Sequence, residues 1–450
     1  MIRGRRPVSG HIADARGVAR LAVSAVTGVA EIVENMHGSI VRLSPIVGPG
    51  RPKPLGGISG LVYRSIHGVT RMVGFGLETA FSPGTVRPGN APVSPRREEL
   101  LAVLNGVVGD HLAATVNPLA ISMSFRRDGQ TVPLDRNALA GAFFPAGRRL
   151  VVLMHGLCRN DLGWRREGHD HGFSLARDLG CSPVYLHYNS GRHISSNGRE
   201  CARLMERLLR EWPVPVEELV IVGHSMGGLV ARSACHYGRR AGHRWPARLK
   251  KLIFLGTPHH GSPLERAGHW ADVLLGLSPY TAPLTKLGEI RSAGIMDLRY
   301  GSVLDEDWRG RRGKLAREPG RFVPLPPRVK CYAIAASKRP DPGEGRTSLP
   351  GDGLVPVTSA LGQHREEALA LPIPKARKCV FYGLKHLDLL GSREVYDQIR
   401  HWVAEREGSP ATPRRRRVKR GESSRACTAA PRTGISGSRP PPRRDSRRRP

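Results

Sequence analysis

The sequence predicts an α/β protein with a mostly parallel central sheet, and three observations predict it. Short apolar runs of strand length recur through the middle of the chain, at Arg149–Met154, Val184–Tyr188, Leu219–Val222, Leu249–Leu255, Lys330–Ala335 and Cys379–Tyr382. Strands buried on both faces need such near-continuous runs. Helical patterns alternate with several of them, as from about Arg199 to Trp212, which is the rhythm of βαβ units. Finally, Leu219–Val222 runs straight into Gly223-His224-Ser225-Met226-Gly227. Leu229, Val230, Ser233 and Ala234 follow at helical spacing, with Gly238 read as the stop. Strand, sharp turn and helix are joined there without a linker.

The elements follow in order. Residues 1–118 read as a helical N-terminal region. Val18, Leu21, Ala25, Val29, Ile32, Val33 and Met36 form one apolar stripe, and Pro45 to Pro54 breaks it. Ile58, Leu61, Val62, Ile66, Val69, Met72, Val73 and Leu77 form a second, and Leu100, Val103, Leu104, Val107, Val108 and Leu112 a third. The plain reading is an appendage packed on itself or on the core. The sharper one is peripheral attachment to a membrane or lipid body. At about 119 the period changes. Ile121, Met123 and Phe125 alternate, Asp128-Gly129 marks a turn, and Val132 and Leu134 resume, which reads as a hairpin entering the sheet. Residues 119–408 form the α/β domain. Within it, 257 to about 328 break the rhythm with Pro, Gly, Trp270, Leu274, Leu275, Leu277 and the basic Arg309–Arg312. That segment reads as a cap insertion over the strand ends, where open sheets bind ligands; a plain surface excursion is the alternative. Residues 409–450 are rich in Arg and Pro and nearly free of apolar side chains, so they read as a disordered tail.

The chemistry concentrates after the strands. Ser225 lies in G-x-S-x-G, with His155-Gly156-Leu157 directly after an earlier strand. Gly351-Asp352-Gly353 follows a later strand, and Gly383-Leu384-Lys385-His386 follows the last. Side chains at Gly223 or Gly227 would collide with neighbouring elements in so tight a turn. The order Ser, Asp, His differs from those of the chymotrypsin and subtilisin types.

On these residues the chain resembles a lipase or esterase of the α/β-hydrolase superfamily. The matching pieces are His155-Gly156-Leu157, Gly223–Gly228, Leu255-Gly-Thr-Pro-His-His-Gly-Ser262, Gly351–Pro356 and His386–Leu389. The set is similar to bacterial triacylglycerol lipases and to the PGAP1-like domain that deacylates GPI inositol. It spans residues from about 119 to 406. The resemblance implies an α/β-hydrolase fold with Ser225 as nucleophile, His386 as general base and acid, and Asp352 as the group that orients the imidazole. The backbone N–H groups of Leu157 and Met226 would form the oxyanion hole, each worth roughly 3 kcal/mol in acyl transfer. His155, Gly156, Gly223, His224 and Gly227 would support the motifs.

Each role has a plainer rival. Asp352 between two glycines also suits a simple turn. His386 competes with His364 and with His259-His260. His364 sits in a polar stretch and reads as solvated. Asp388 rivals Asp352 but reads better as the cap of the next helix; Asp341 lies among Pro and Gly and reads as loop. His169-Asp170-His171, with His155, His187 and His193 not far off, invites a metal. No His-x-x-x-His or Cys-x-x-Cys spacing accompanies them, so a polar loop is preferred and no metal is assigned.

The net charge is +33. Residues 411–450 carry +12 of it, leaving +21 for the rest. A tail of that charge suits nonspecific polyanion binding, to nucleic acid or anionic headgroups, although no aromatic side chains interleave the arginines. A solvated extension without a partner is the alternative. The seven cysteines are far apart and read as buried free thiols, favouring a reducing, cytoplasmic location that is peripheral to membrane if the N-terminal helices attach. No clean signal-peptide core or spanning apolar stretch is present, and a cryptic secretion signal stays open. The expected activity is hydrolysis of carboxylic esters, of lipids or apolar acyl chains, through an acyl-serine and without a diffusible cofactor. Two alternatives stand beside it: an acyltransferase or polyester depolymerase on the same triad, and an inactive binding protein acting through its tail or N-terminal helices.

Overall fold

The computed structural model describes residues 95–262, 292–309, 321–340 and 351–405. The first two N-terminal stripes, the apolar residues of the expected cap, Asp341 and the basic tail lie outside the described residues.

Eight strands form one sheet in the order β2-β1-β4-β3-β5-β6-β7-β8. They are β1 (Ser124–Arg127), β2 (Gln130–Thr131), β3 (Arg149–Met154), β4 (Ser182–His187), β5 (Glu218–His224), β6 (Leu249–Leu255), β7 (Lys330–Ser337) and β8 (Lys378–Tyr382). β1 runs antiparallel to β2 and β4, and β3 to β8 are mutually parallel. The hairpin turns on Asp128 and Gly129, both at positive φ, as the Asp-Gly pair favours. This is the α/β-hydrolase class of architecture that the sequence predicts.

The apolar runs bury both faces of the sheet. Leu150, Val152 and Met154 of β3 join one core while Val151 and Leu153 join the other. β5 divides likewise, with Leu219 and Ile221 on one side and Val220 and Val222 on the other. The helices are α1 (Pro95–Ala114), α2 (Arg136–Ala142), α3 (His171–Leu179), α4 (Ile194–Glu211), α5 (Met226–Arg240), α6 (Trp245–Arg248), α7 (Ala293–Tyr300), α8 (Val357–Ala360) and α9 (Arg393–Ala404). α1, α4, α5 and α7 contribute to the first core, and α3 and α9 cover the second.

α1 is part of the same body as the sheet. Val103, Val107, Val108 and Leu112 belong to the core that contains Leu150 and Ile221, so the boundary expected near 118 falls inside one continuous core. The chemistry of the contact is specific. Asn105 Nδ2 donates to Leu119 O at 2.8 Å, and Asn189 Nδ2 donates to Gly109 O at 2.8 Å. Glu98 pairs with Arg126 at 2.5 Å, and Arg126 also reaches Asp161 at 3.2 Å. The described part of the 257–328 insertion is likewise packed down. Ser292 Oγ donates to Gly106 O, Ser233 Oγ donates to Val303 O, and Ile295, Leu298, Val303 and Val323 are buried.

Three local expectations change. α5 continues past Gly238 to Arg240. Gly238 is small because a Cβ there would stand 2.9 Å from the Trp245 ring, so it serves packing and not termination. α4 begins at Ile194, before the apolar pattern is evident. Cys158, Cys181, Cys201, Cys235 and Cys331 are buried free thiols as expected. Cys379 is disulfide-bonded instead; a lone Cys on an apolar strand carries no sequence signal of a partner.

Leu112 is fully buried where α1 meets the sheet core. Leu112→Ala should therefore lower unfolding free energy by about 2–5 kcal/mol, read as a lower urea midpoint at unchanged slope. Phe173→Ala, at a residue 64% exposed, should stay within about 0.5 kcal/mol of the parent.

Candidate active site

β5 carries His224 to its C-terminal end, α5 starts at Met226, and Ser225 alone makes the turn. Its backbone has φ +53° and ψ −124°. A non-glycine residue there costs on the order of 1–3 kcal/mol and persists only where its surroundings enforce it. One enforcing contact is visible: Ser225 N–H donates to Leu255 O of β6 at 2.8 Å. Close packing supplies the rest. A Cβ on Gly227 would lie 2.6 Å from His155 O and closer still to Met154 O, and one on Gly223 would lie 2.6 Å from Gly228 Cα. The expected collisions therefore occur, with the end of β3 in the first case and with α5 itself in the second.

Asp352 and His386 meet in a buried contact, with His386 Nδ1 and Asp352 Oδ2 2.7 Å apart. The other carboxylate oxygen is already occupied. Asp352 Oδ1 accepts from the backbone N–H groups of Leu354 at 2.9 Å and Val355 at 2.8 Å. The two amides fix the carboxylate plane and leave Oδ2 for the imidazole. His386 opens a 3₁₀ turn, His386–Leu390, just after β8. Its ring lies against Gly256, whose φ is +55°. A Cβ at that position would come within 3.1 Å of His386 Cε1 and 2.9 Å of Leu389 Cδ1. Gly256 follows β6, so β6 helps place both the serine and the histidine.

His224 links the elbow to this pair. Its Nε2 lies 3.2 Å from His386 O, and the two rings are 4.7 Å apart. A carbonyl can only accept, so Nε2 carries the hydrogen. Its Nδ1 is buried without a partner. Burial first, then the neighbouring His386 and the Arg159 charge, hold its pKa well below the ordinary histidine range. A neutral ring therefore ties the His386 backbone to the residue preceding Ser225.

The loop after β3 closes the other side. A Cβ on Gly156 would be 2.9 Å from Ser225 Cβ and 3.2 Å from His224 Nδ1. That approach sets Leu157 beside the elbow. Among the described residues no acceptor takes the amide hydrogen of Leu157 or of Met226. Both are free to bind charge developing on a substrate oxygen. The loop is pinned by His155, whose ring stacks on Tyr188 at 4.2 Å and accepts the Tyr188 N–H at Nε2. Tyr188 Oη donates to His155 O at 2.7 Å, and Cys158 N–H donates to Ser190 Oγ at 3.1 Å. Burial brings the His155 pKa down to about 4, so the ring acts as a neutral strut.

The rival residues are placed elsewhere. His364 is half-buried, with its ring 5.0 Å from that of His260, so it is less solvated than its polar neighbours imply. His259 packs edge-on against Phe254 at 4.5 Å. Asp388 does not cap α9, which Ser392 does through Val395 N–H. It accepts instead from Lys385 N–H at 2.8 Å and braces the His386 turn. Nor is His169-Asp170-His171 a loop throughout. Asp170 caps α3 through Phe173 N–H, His171 is its first residue, and His171 Nε2 lies 2.8 Å from Leu389 O. Among the described residues no group of three His, Cys, Asp or Glu side chains is arranged to hold a metal. Two positions with no assigned role in the sequence belong to the site. One is Gly256, behind His386; the other is Thr257, which fills the space a Gly228 side chain would need. Both lie in the Leu255–Ser262 motif.

A family model described as a PGAP1-like alpha/beta domain matches residues 193–318. That stretch contains Ser225 but neither Asp352 nor His386. No curated protein matches. Among solved structures, a mature lipase from Bacillus licheniformis is 17% identical, with 60% of this chain and 92% of that chain covered and a TM-score of 0.34. A hyperthermophilic esterase from the archaeon Pyrobaculum calidifontis is 16% identical over 70% of this chain and 98% of that chain, at a TM-score of 0.38. A homoserine O-acetyltransferase from Staphylococcus aureus is 14% identical over 59% and 88%, at 0.34.

The geometry separates the candidates by mutation. His386→Ala and Asp352→Asn should each lower ester turnover by about 10²–10⁴-fold, while His364→Ala and Asp388→Asn retain most of it; steady-state kinetics on one soluble ester checks all four. Acidification gives an independent check. Burial brings both His155 and His171 down to about 4, below the unfolded value of 6.5. Their contribution is complete above about pH 6.5 and is lost as pH falls toward 4, by at most about 1.4 kcal/mol per pH unit for each ring. Urea midpoints should fall across that window, and His171→Gln, though less stable at pH 7, should fall less steeply.

Proposed function

We propose that the protein is a serine hydrolase that cleaves carboxylic esters through an acyl-Ser225 intermediate, with lipids or apolar acyl chains as substrates. The observation that carries this reading is Ser225 held at positive φ on a strand-to-helix turn, at the same C-terminal end of the parallel strands as the 2.7 Å Asp352–His386 contact. An imidazole oriented in this way can take the hydroxyl proton as oxygen attacks the ester carbonyl. Asp352 keeps the hydrogen on Nδ1 and stabilises the imidazolium that forms. The Leu157 and Met226 N–H groups donate to the oxyanion. His386 then protonates the departing alcohol, and water repeats the sequence on the acyl-serine. The reaction calls on no diffusible cofactor.

The apolar-acyl preference rests on resemblance to lipases over the Ser225, Asp352 and His386 motifs. No described helix is long and apolar enough to cross a membrane. Attachment to a lipid phase through the N-terminal stripes, and polyanion binding by the tail, remain proposals on residues outside those described.

A fluorophosphonate should label the protein once, at Ser225, as read by peptide mass spectrometry. Ser225→Ala should lose both labelling and ester turnover while melting at an unchanged temperature. Labelling at another residue, or full turnover by the alanine variant, rules the mechanism out. Turnover across esters of increasing acyl length, soluble and emulsified, tests the apolar preference.

A further inference from the structure

The oxyanion-side loop carries a cation that the proposed mechanism does not use. Arg159 lies two residues after Leu157 and is half-buried. Its Nε and Nη2 are buried and meet no hydrogen-bond acceptor. A buried guanidinium normally has a carboxylate partner, because desolvating the charge is costly. Each nearby acid is engaged elsewhere. Asp161, two residues on, pairs with Arg126 at 3.2 Å and faces His187 at 3.4 Å. Glu98 pairs with Arg97 and Arg126. Asp388, within the His386 turn, pairs with Arg166 at 3.6 Å. Glu99 acts on Arg159 only at a distance and makes no described ion pair with it.

The position is as informative as the missing partner. The Arg159 charge is felt by both His155 and His224, the rings flanking Gly156 and Ser225. Its stem runs past Gly163, where a Cβ would be 3.9 Å from Arg159 Cδ. It thus lies on the segment that joins the Leu157 loop to the 3₁₀ turn Asp161–Trp164, within electrostatic reach of the ring that precedes Ser225. The other described arginines with a buried unpartnered nitrogen differ: Arg126, Arg166 and Arg199 each pair with an acid, and the remaining one is Arg232. Its Nη2 donates to Val323 O at 2.7 Å and it sits within the core. On Arg159 the two idle nitrogens share one edge of the guanidinium. Their hydrogens point the same way, spaced for two oxygens of a carboxylate or phosphate.

We propose that Arg159 is a specificity residue that binds an anionic group, a carboxylate or phosphate, carried by the ester substrate close to the scissile bond. This rests on the ester-hydrolase reading and narrows its substrate class. The anion supplies the partner that the folded chain lacks, so binding it turns an uncompensated buried charge into a two-point ion pair. A neutral ester of the same shape leaves that charge uncompensated.

The test compares matched pairs on the full-length protein. For an anion on the acyl side, 4-nitrophenyl hemiglutarate is set against 4-nitrophenyl pentanoate. For an anion on the alcohol side, 1-butyryl-glycerol 3-phosphate is set against monobutyrin. In at least one pair the anionic ester should be favoured by about tenfold or more in kcat/KM, mostly through KM, and the favoured pair identifies the source. Arg159→Met should reduce that ratio about tenfold or more, and Arg159→Lys, which keeps the charge but not the paired edge, by less. Calorimetric titration of glutarate and of glycerol 3-phosphate into the parent and Arg159→Met proteins gives a readout that needs no turnover and cancels any contribution of the basic tail. The inference is overturned if neither pair shows a preference, or if Arg159→Met lowers both members equally. It is equally overturned if both proteins bind the anions alike. If Ser225 is labelled and neutral esters are cleaved without an anion preference, the hydrolase reading stands and this one fails. If Ser225 is inert but the anions bind in an Arg159-dependent way, the hydrolase reading fails, the assignment of the anion to an ester substrate falls with it, and Arg159 stands as an anion site alone.

Discussion

The close approach of α5 to the ends of β3 and β6 is the constraint on which the site depends. Gly227 is squeezed against Met154 O and His155 O, and Ser225 N–H is tied to Leu255 O. Those contacts hold Ser225 in a conformation that an unsupported chain would leave. The same approach puts the Met226 amide at the start of a helix, where the helix dipole favours negative charge. It also sets the oxyanion loop beside it, because Gly156 has room for nothing larger. His224 extends the unit to the His386 backbone, and Gly256 extends it to the His386 ring. Ser225, the Leu157 and Met226 amides and His386 are thus fastened to one another at the ends of β3, β5 and β6, with His386 following β8.

Around this unit the protein sorts its ionisable groups into two kinds. His155, His171, His224 and His259 are buried and held below their usual pKa, chiefly by desolvation, so they work as neutral hydrogen-bonding parts. The buried carboxylates are matched. Asp352 has two amides and an imidazole, and Glu98 and Asp161 share Arg126. Lys251, beneath the sheet, is satisfied by Glu218 and the carbonyls of Val403 and Glu405. Arg159, on the loop that carries Leu157, is a described charge with two buried nitrogens and no acid paired to it.

Much of this was legible in the sequence wherever the signal was local. The strands could be read because a strand buried on both faces must be apolar throughout, and the elbow because its glycines are adjacent in the chain. The roles expected for Ser225, Asp352 and His386 were separable by order along the chain, and the 2.7 Å contact joins the last two. What could not be read depends on distant residues. The stripe Val103 to Leu112 announces a helix but not that Asn105 and Gly109 lock it to loops 14 and 80 residues away. Gly238 looks like a stop until Trp245 is seen against it. Asp388 looks like a cap until the chain reverses at Lys385. No pattern in His155–Arg159 tells that Asp161 is already claimed by Arg126.

The order of the strands also imposes an order in time. Ser225 and its elbow belong to the centre of the sheet, and β3 and β6, the neighbours of β5, are both made by residue 255. Asp352 arrives about a hundred residues later and His386 later still, just after β8, which among the described residues pairs only with β7. A ribosome therefore produces Ser225 long before Asp352 and His386, the groups proposed to activate it. A half-made chain, or one cut before β8, carries a well-formed turn with an ordinary, unreactive alcohol. Only when the final described strand is laid down does Asp352 gain its His386 partner, so that 2.7 Å contact certifies that synthesis and folding have reached the end of the described sheet.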